Sequence, residues 1–156
     1  MSGTIGAMET LAKRDLLGLD GMDSATLTTL LDAADSHAPA AMGEAPAPST
    51  LFGRIVANLF FEDSTRTRCS FAVAAQRLGA SVVTLAGEGS SLSKGETLAD
   101  TALNVAAMGV DAIVMRHRSA GAATLVASAV TCPVINAGDG RHEHPTQGLL
   151  DILTLR

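Results

Sequence analysis

The sequence predicts an α/β domain, a parallel four-stranded sheet flanked by helices in βαβ units. Three observations predict it. Four short apolar runs, at 54–62, 81–87, 111–117 and 132–138, alternate with segments of helical spacing. Each run is apolar almost throughout, the pattern of a strand covered on both faces. Polar and charged residues gather just after the runs, where the carboxyl edge of such a sheet takes its ligand.

The elements follow in order. After a mixed stretch to about residue 23, residues 26–38 set Leu27, Leu30, Leu31 and Ala34 on one face of a helix, with Ser24 as N-cap. The Ala- and Pro-rich stretch 41–50 reads as a loop, with 41–48 a tolerated extension. RIVANLFFE (54–62) is the first strand. TRTRCSFAVAAQRLG (65–79) is a helix whose Phe71, Ala75 and Leu78 share a face and whose Gly79 stops it. SVVTLAG (81–87) is the second strand, and a polar loop follows. A helix starts near Glu96, lines up Leu98, Ala102 and Val105, and ends at Gly109. DAIVMRH (111–117) is the third strand, residues 120–130 a weaker helix, and CPVINAG (132–138) the fourth strand. A final helix starts at Thr146 and has barely begun its apolar pattern at Arg156, which suggests part of a longer protein.

Composition narrows the function. Apolar residues make up 47% and charged residues 17%, as in a compact domain and not a disordered one. There is no Trp or Tyr, so a stacking platform for single-stranded nucleic acid is not expected. The net charge is −5, and the basic residues are scattered apart from Arg66 and Arg68. That balance disfavours nucleic acid and suits a small anion. Cys69 and Cys132 match no metal spacing and read as buried thiols in a reducing compartment. The first residues lack a secretory pattern and no run is long enough to span a bilayer. A soluble, cytoplasmic protein without a membrane partner is expected.

FFEDSTRTRCSF (60–71) joins the first strand to its helix and concentrates hydroxyls and arginines there. A helix N-terminus carries unpaired N–H groups and partial positive charge. Ser64, Thr65 and Thr67 add hydroxyls, and Arg66 adds a planar fork that matches phosphate oxygens. A capped helix followed by surface arginines is the other reading of the same pattern. The usual nucleotide signatures do not apply: there is no GxxxxGK[ST], and neither Gly87-Glu88-Gly89 nor Gly138-Asp139-Gly140 continues to GxGxxG. His142-Glu143-His144 lies in a loop with no third ligand apparent, so neither a metal nor a cofactor is expected.

FFEDSTRTRCSF resembles the carbamoyl-phosphate signature of the aspartate and ornithine carbamoyltransferases. The resemblance continues through SKGETLADT (93–101), DAIVMRH (111–117) and NAGDGRHEHPTQGLLDILT (136–154). It implies a two-domain family fold, of which residues 51–156 would be the carbamoyl-phosphate domain and residues 1–50 a helical segment with the Ala/Pro loop. The acceptor domain would be absent from this chain, which alone would be inactive. The implied reaction moves a carbamoyl group from carbamoyl phosphate to an amine. Within the family, the Ser91-Leu92-Ser93-Lys94-Gly95-Glu96 loop and the His144-Pro145-Thr146-Gln147 run point to L-aspartate as acceptor, the reaction that starts committed pyrimidine (UMP) biosynthesis. Ornithine or another amine, and a non-catalytic phosphate-binding subunit, are the alternatives.

The resemblance also implies roles. Ser64, Thr65, Arg66 and Thr67 would hold the phosphate. Arg66 would also meet the bridging oxygen, and Thr67 the carbonyl oxygen. Arg116 would touch phosphate and carbonyl oxygen, and His144 would donate to the carbonyl oxygen. Gln147, three residues on, would accept from the carbamoyl amide. Lys94, on pattern alone a solvated loop lysine, would cross with Ser91 or Ser90 into a neighbour's site in a homotrimer. A regulatory or dihydroorotase partner would be compatible with such a chain.

Overall fold

The structure, a computed structural model, describes residues 15–86 and 95–156. Among these, five helices and four strands alternate after an initial helix: α1 Ser24–Met42, β1 Ile55–Phe60, α2 Thr65–Arg77, β2 Ser81–Ala86, α3 Leu98–Ala107, β3 Ala112–His117, α4 Ala122–Ala129, β4 Val134–Asp139 and α5 Pro145–Leu155. All strand pairs are parallel, in the order β2-β1-β3-β4. The α/β expectation is met.

Alternation along the strands builds two cores. Ala57, Leu59, Ile113 and Met115 face α3 and α4, meeting Ala102, Val105, Ala123 and Val126. Val56, Phe60, Val114 and Ala137 face the other way, where Ala75 and Phe71 of α2 cover them. A fully buried Leu59 or Ile113 contributes about 1.5–3 kcal/mol of transfer free energy. Strand order places the switch point between β1 and β3, since the chain leaves β1 for β2 and returns across it to β3.

Local chemistry sets the ends. α1 is capped by Asp23, not Ser24: the Asp23 carboxylate accepts from the Thr26 N–H at 2.8 Å, the reach of an Asp just outside the first turn. α1 also runs four residues past the predicted end, through Pro39, until Gly43 at φ +79 stops it. α3 carries a capping box between Thr97 and Asp100. Gly79 holds φ +91 just past α2, the conformation that favours glycine there.

The residues before α1 are built into the sheet's edge. Leu16 N–H donates to the Val134 carbonyl, and Asn136 N–H donates to the Leu16 carbonyl, both at 2.9 Å. α5 lies along β4, and α1 packs outside α5, where Arg156 pairs with Asp32 at 2.7 Å. Among the described residues, no helix is long and apolar enough to cross a membrane.

Candidate active site

The carboxyl edge of β1 and β3 is where the predicted residues meet. Phe60 and Arg116 are register partners, and the Phe61 N–H donates to the Arg116 carbonyl at 2.9 Å. The β1–α2 turn therefore stands beside the end of β3. Arg116, two residues after Val114, projects to the same face of the sheet as α2.

At the start of α2, Ser64 is the N-cap residue yet makes no capping bond, and the first turn holds no acidic residue. Its hydroxyl donates instead to Thr67 Oγ1 at 2.9 Å. The N–H groups of the first turn have no intrahelical acceptor. Thr65 and Arg66 are exposed, while Ser64 and Thr67 are half-buried. Two hydroxyls, a guanidinium and a helix N-terminus thus form a positive shelf open to solvent.

Arg116 lies behind this shelf, its side chain 20% exposed. Its Nη1 donates to the Ala137 carbonyl at 2.9 Å. Its Nε faces Glu62 Oε2 at 3.5 Å. Neither of these two buried atoms makes a hydrogen bond among the described residues. The register of β1 and β3 puts this guanidinium at the strand end beside the β1–α2 turn.

The β4 turn brings in His144. A Cβ at Gly138, where φ is +116, would fall 2.4 Å from Arg116 Nη1 and 3.5 Å from His144 Cδ2. The guanidinium and the imidazole therefore lie against the same glycine. Burial, and then the Arg116 charge, push the His144 pKa below its ordinary value. At neutral pH its ring is uncharged, with one N–H to donate. Thr146 Oγ1 sits 3.3 Å from His144 Nδ1.

The remaining predicted residues divide. His144 is the N-cap of α5 with φ −144 and ψ 76, and its carbonyl accepts from the Gln147 N–H at 3.0 Å and the Gly148 N–H at 3.1 Å, so it and Gln147 share the first turn. Gln147 is exposed, and its Nε2 donates to Asp151 at 2.9 Å, which leaves the amide oxygen as the acceptor. Lys94, Ser91 and Ser90 lie outside the described residues. Cys69, read from the sequence as buried, is exposed, because it falls on the solvent side of α2 away from Ala75. His117 accepts from the Ser119 N–H at 3.0 Å and meets Phe61 edge-on. His142 Nδ1 lies 3.1 Å from Asp139. Among the described residues, no three His, Cys, Asp or Glu side chains gather as a metal site.

The stretches after the strands take in Glu62, Gly138 and Asp139, but the sequence pattern assigned no role to these or to Asn136. The signal for Asn136 and Asp139 was available, since an Asn and an Asp interrupt an otherwise apolar strand.

Fold and shelf together define an α/β domain with a candidate anion site at the switch point. Residues 14–156 match the family model described as aspartate/ornithine carbamoyltransferase, carbamoyl-P binding domain. The chain belongs to the aspartate/ornithine carbamoyltransferase family. It is 59% identical, over 92% of its length, to the aspartate carbamoyltransferase catalytic subunit of Myxococcus xanthus, and covers 47% of that protein. It superposes with TM-score 0.81 and 42% identity on an aspartate transcarbamoylase from Trypanosoma cruzi in complex with carbamoyl phosphate, over 90% of this chain and 43% of that one. The catalytic subunit of M. jannaschii aspartate transcarbamoylase matches at TM-score 0.82 and 40% identity, over 92% of this chain and 46% of that one. The chain thus spans about half the length of the curated relatives it matches.

Proposed function

We propose that this chain is the carbamoyl-phosphate half of an aspartate carbamoyltransferase. The observation that carries it is the convergence of Arg116 and His144 across Gly138, next to the uncapped start of α2. The reaction is attack of the L-aspartate amine on the carbonyl carbon of carbamoyl phosphate. The carbon–oxygen bond to phosphate breaks, phosphate leaves, and N-carbamoyl-L-aspartate forms. The chemistry needs a clamp on the leaving phosphate, donors at the carbonyl oxygen, and a positioned amine.

Ser64, Thr65, Arg66 and Thr67 clamp the phosphate, and Arg66 stabilises the bridging oxygen as the bond lengthens. Arg116, His144 and Thr67 donate to the carbonyl oxygen, where negative charge builds. The Gln147 amide oxygen accepts from the carbamoyl NH₂. An acceptor domain outside this chain supplies the aspartate contacts, and the aspartate-named relatives favour that acceptor over ornithine. Lys94 and a serine of its loop complete a neighbour's site in a homotrimer, a role supported by the resemblance of that loop. The pathway is pyrimidine biosynthesis, in the cytoplasm.

The test is a thermal shift with phosphonoacetamide, a hydrolysis-resistant mimic of carbamoyl phosphate. At a hundredfold excess over Kd, binding adds about 2.7 kcal/mol, or about 5–10 °C for a chain of this size. Arg66→Ala is expected to remove the shift. An unchanged shift in Arg66→Ala would put the anion elsewhere and end this reading.

A further inference from the structure

We propose that Asn136 and Asp139 are positioning residues, a buried polar hub at the end of β4 that sets Arg116 and His144 in register with each other. The inference rests on the carbamoyl-phosphate reading of the site.

Both side chains are buried, at 1% and 2% exposure, in a strand that is otherwise apolar. Asn136 uses both ends of its amide. Its Oδ1 accepts from the Gly138 N–H at 2.9 Å, and its Nδ2 reaches the Leu17 carbonyl at 2.9 Å, Asp139 Oδ1 at 3.0 Å and the Glu143 carbonyl at 3.4 Å. Asp139 accepts from the Gly121 N–H at 2.7 Å and the Glu143 N–H at 2.9 Å. Its own N–H donates to the Glu143 carbonyl at 3.1 Å. The turn from 139 to 143 is therefore closed twice by one residue pair.

These bonds fall on the backbone that carries or touches the two side chains. Arg116 Nη1 rests on the Ala137 carbonyl, and Ala137 lies between Asn136 and the Gly138 that Asn136 holds. His144 follows Glu143, whose N–H and carbonyl both go to the hub. His144 is held from both sides: the tether fixes the residue before it, and α5 donates the Gln147 and Gly148 N–H groups to its carbonyl at 3.0 and 3.1 Å. A hub serving the fold alone could spend its bonds anywhere in the core. This one ties the Arg116 rest, the His144 tether, the start of α4 and the Leu17 segment to a single point.

The charge state supports it. Burial raises the Asp139 pKa, but the bonds from Asn136, Gly121, Glu143 and His142 outweigh that and hold it below the ordinary carboxylate value. The hub is an anion at neutral pH, which a carboxamide cannot replace. Asn offers one acceptor oxygen where converging N–H groups now use two.

The experiment is Asp139→Asn in the full chain. Binding of phosphonoacetamide and of inorganic phosphate is measured by calorimetry, and the His144 ring is titrated by NMR. Phosphonoacetamide is expected to weaken about tenfold and phosphate by a smaller factor, about threefold, because Arg116 meets both groups and His144 only the carbonyl, while the α2 shelf stays. The His144 titration is expected to move up toward its ordinary value as Arg116 drifts away. A lower Tm with affinities and titration unchanged would mean the hub only supports the fold, and overturns the proposal. Equal weakening of both ligands would mean damage to the whole shelf, and overturns it as well. Should Asp139→Asn not fold, Asp139→Glu keeps the charge, displaces the turn, and is judged by the same readouts. If the unaltered chain binds neither probe, the carbamoyl-phosphate reading falls, and the His144 titration alone then decides the hub.

Discussion

One charged pair sits at each end of the same two strands, and the two are built differently. At the amino end, Arg54 Nη1 meets Asp111 Oδ1 at 2.7 Å, and Asp111 Oδ2 accepts from the Ile55 N–H at 2.8 Å. The Ile55 N–H, and then Arg54, hold the Asp111 carboxyl below its ordinary range. At the carboxyl end, Arg116 Nε and Glu62 Oε2 face each other at 3.5 Å, buried and without hydrogen bonds among the described residues. The first pair closes β1 onto β3. The second holds donors and an acceptor ready, a condition that costs free energy unless a ligand or a conformational change completes it. The contrast sets a satisfied pair at the amino end against an unsatisfied one beside the proposed site.

The sharpest way to break this contrast is to remove the arginine at each end. Charge-assisted hydrogen bonds contribute about 1.5–3 kcal/mol each, so Arg116→Leu should weaken phosphonoacetamide binding about a hundredfold. Its Tm should fall little, because Glu62 is 37% exposed and can hydrate once its neighbour is gone. Arg54→Leu should leave binding unchanged and also lower Tm only slightly, since an exposed pair adds little, so the two variants part on affinity. Calorimetry and melting curves on both variants settle it. Weakened binding in Arg54→Leu would show that the two ends are not independent.

Glycines sharpen the same comparison at smaller effect. Gly79, near the amino edge, has φ +91, and a Cβ there would lie 3.3 Å from the Phe52 backbone. Gly138 has φ +116, and its Cβ would meet Arg116 Nη1. Each change to Ala should cost about 1–3 kcal/mol of stability for the strained backbone. Gly138→Ala alone should also weaken phosphonoacetamide, by about tenfold, because the guanidinium must move. Equal affinities in the two variants would mean that the Arg116 position is not what the ligand reads.

How much of this was legible in the sequence differs between the same two ends. The strands were, because a doubly covered parallel strand has to be mostly apolar on both faces, and Val56, Ala57, Leu59 and Phe60 with Ile113 to Met115 are, Asn58 being the exception in β1. The α2 shelf was also legible, because hydroxyls and arginines after an apolar run form a local pattern. The pairing of Arg116 with His144 was visible only through family resemblance, since the two are 28 residues apart and meet across Gly138. Helix ends were less legible. Pro39 reads as a breaker, yet α1 passes through it and stops at Gly43. Cys69 lies between Arg68 and Ser70, six positions before Ala75, so helical spacing turns it away from the buried face of α2 and it is exposed.

Acid gives the mildest test, and it should act first at the carboxyl end, through its histidines, and on the carboxylates of both ends only at lower pH. Burial first, then Arg116 and Arg118 respectively, push His144 and His117 below the ordinary 6.5. The unfolded chain therefore takes up these protons more readily than the folded one. Stability from the neutral imidazoles is complete above about pH 7 and is lost as pH falls below 6.5 toward their folded values. The carboxylates work lower. Asp111 and Asp139 are held below the ordinary 3.8, so their contribution is present above that value and is lost only as pH falls past it. Tm should thus be flat from about pH 8 to 7, decline by a few degrees below 6.5, and decline again in strong acid. His144→Gln combined with His117→Gln should flatten the upper decline and leave the lower one. An added phosphonate should flatten it too, because an anion beside His144 favours the charged ring and raises its pKa. If the upper decline survives the double substitution, those protons bind elsewhere, and the carboxyl end loses its claim to be the acid-sensitive end.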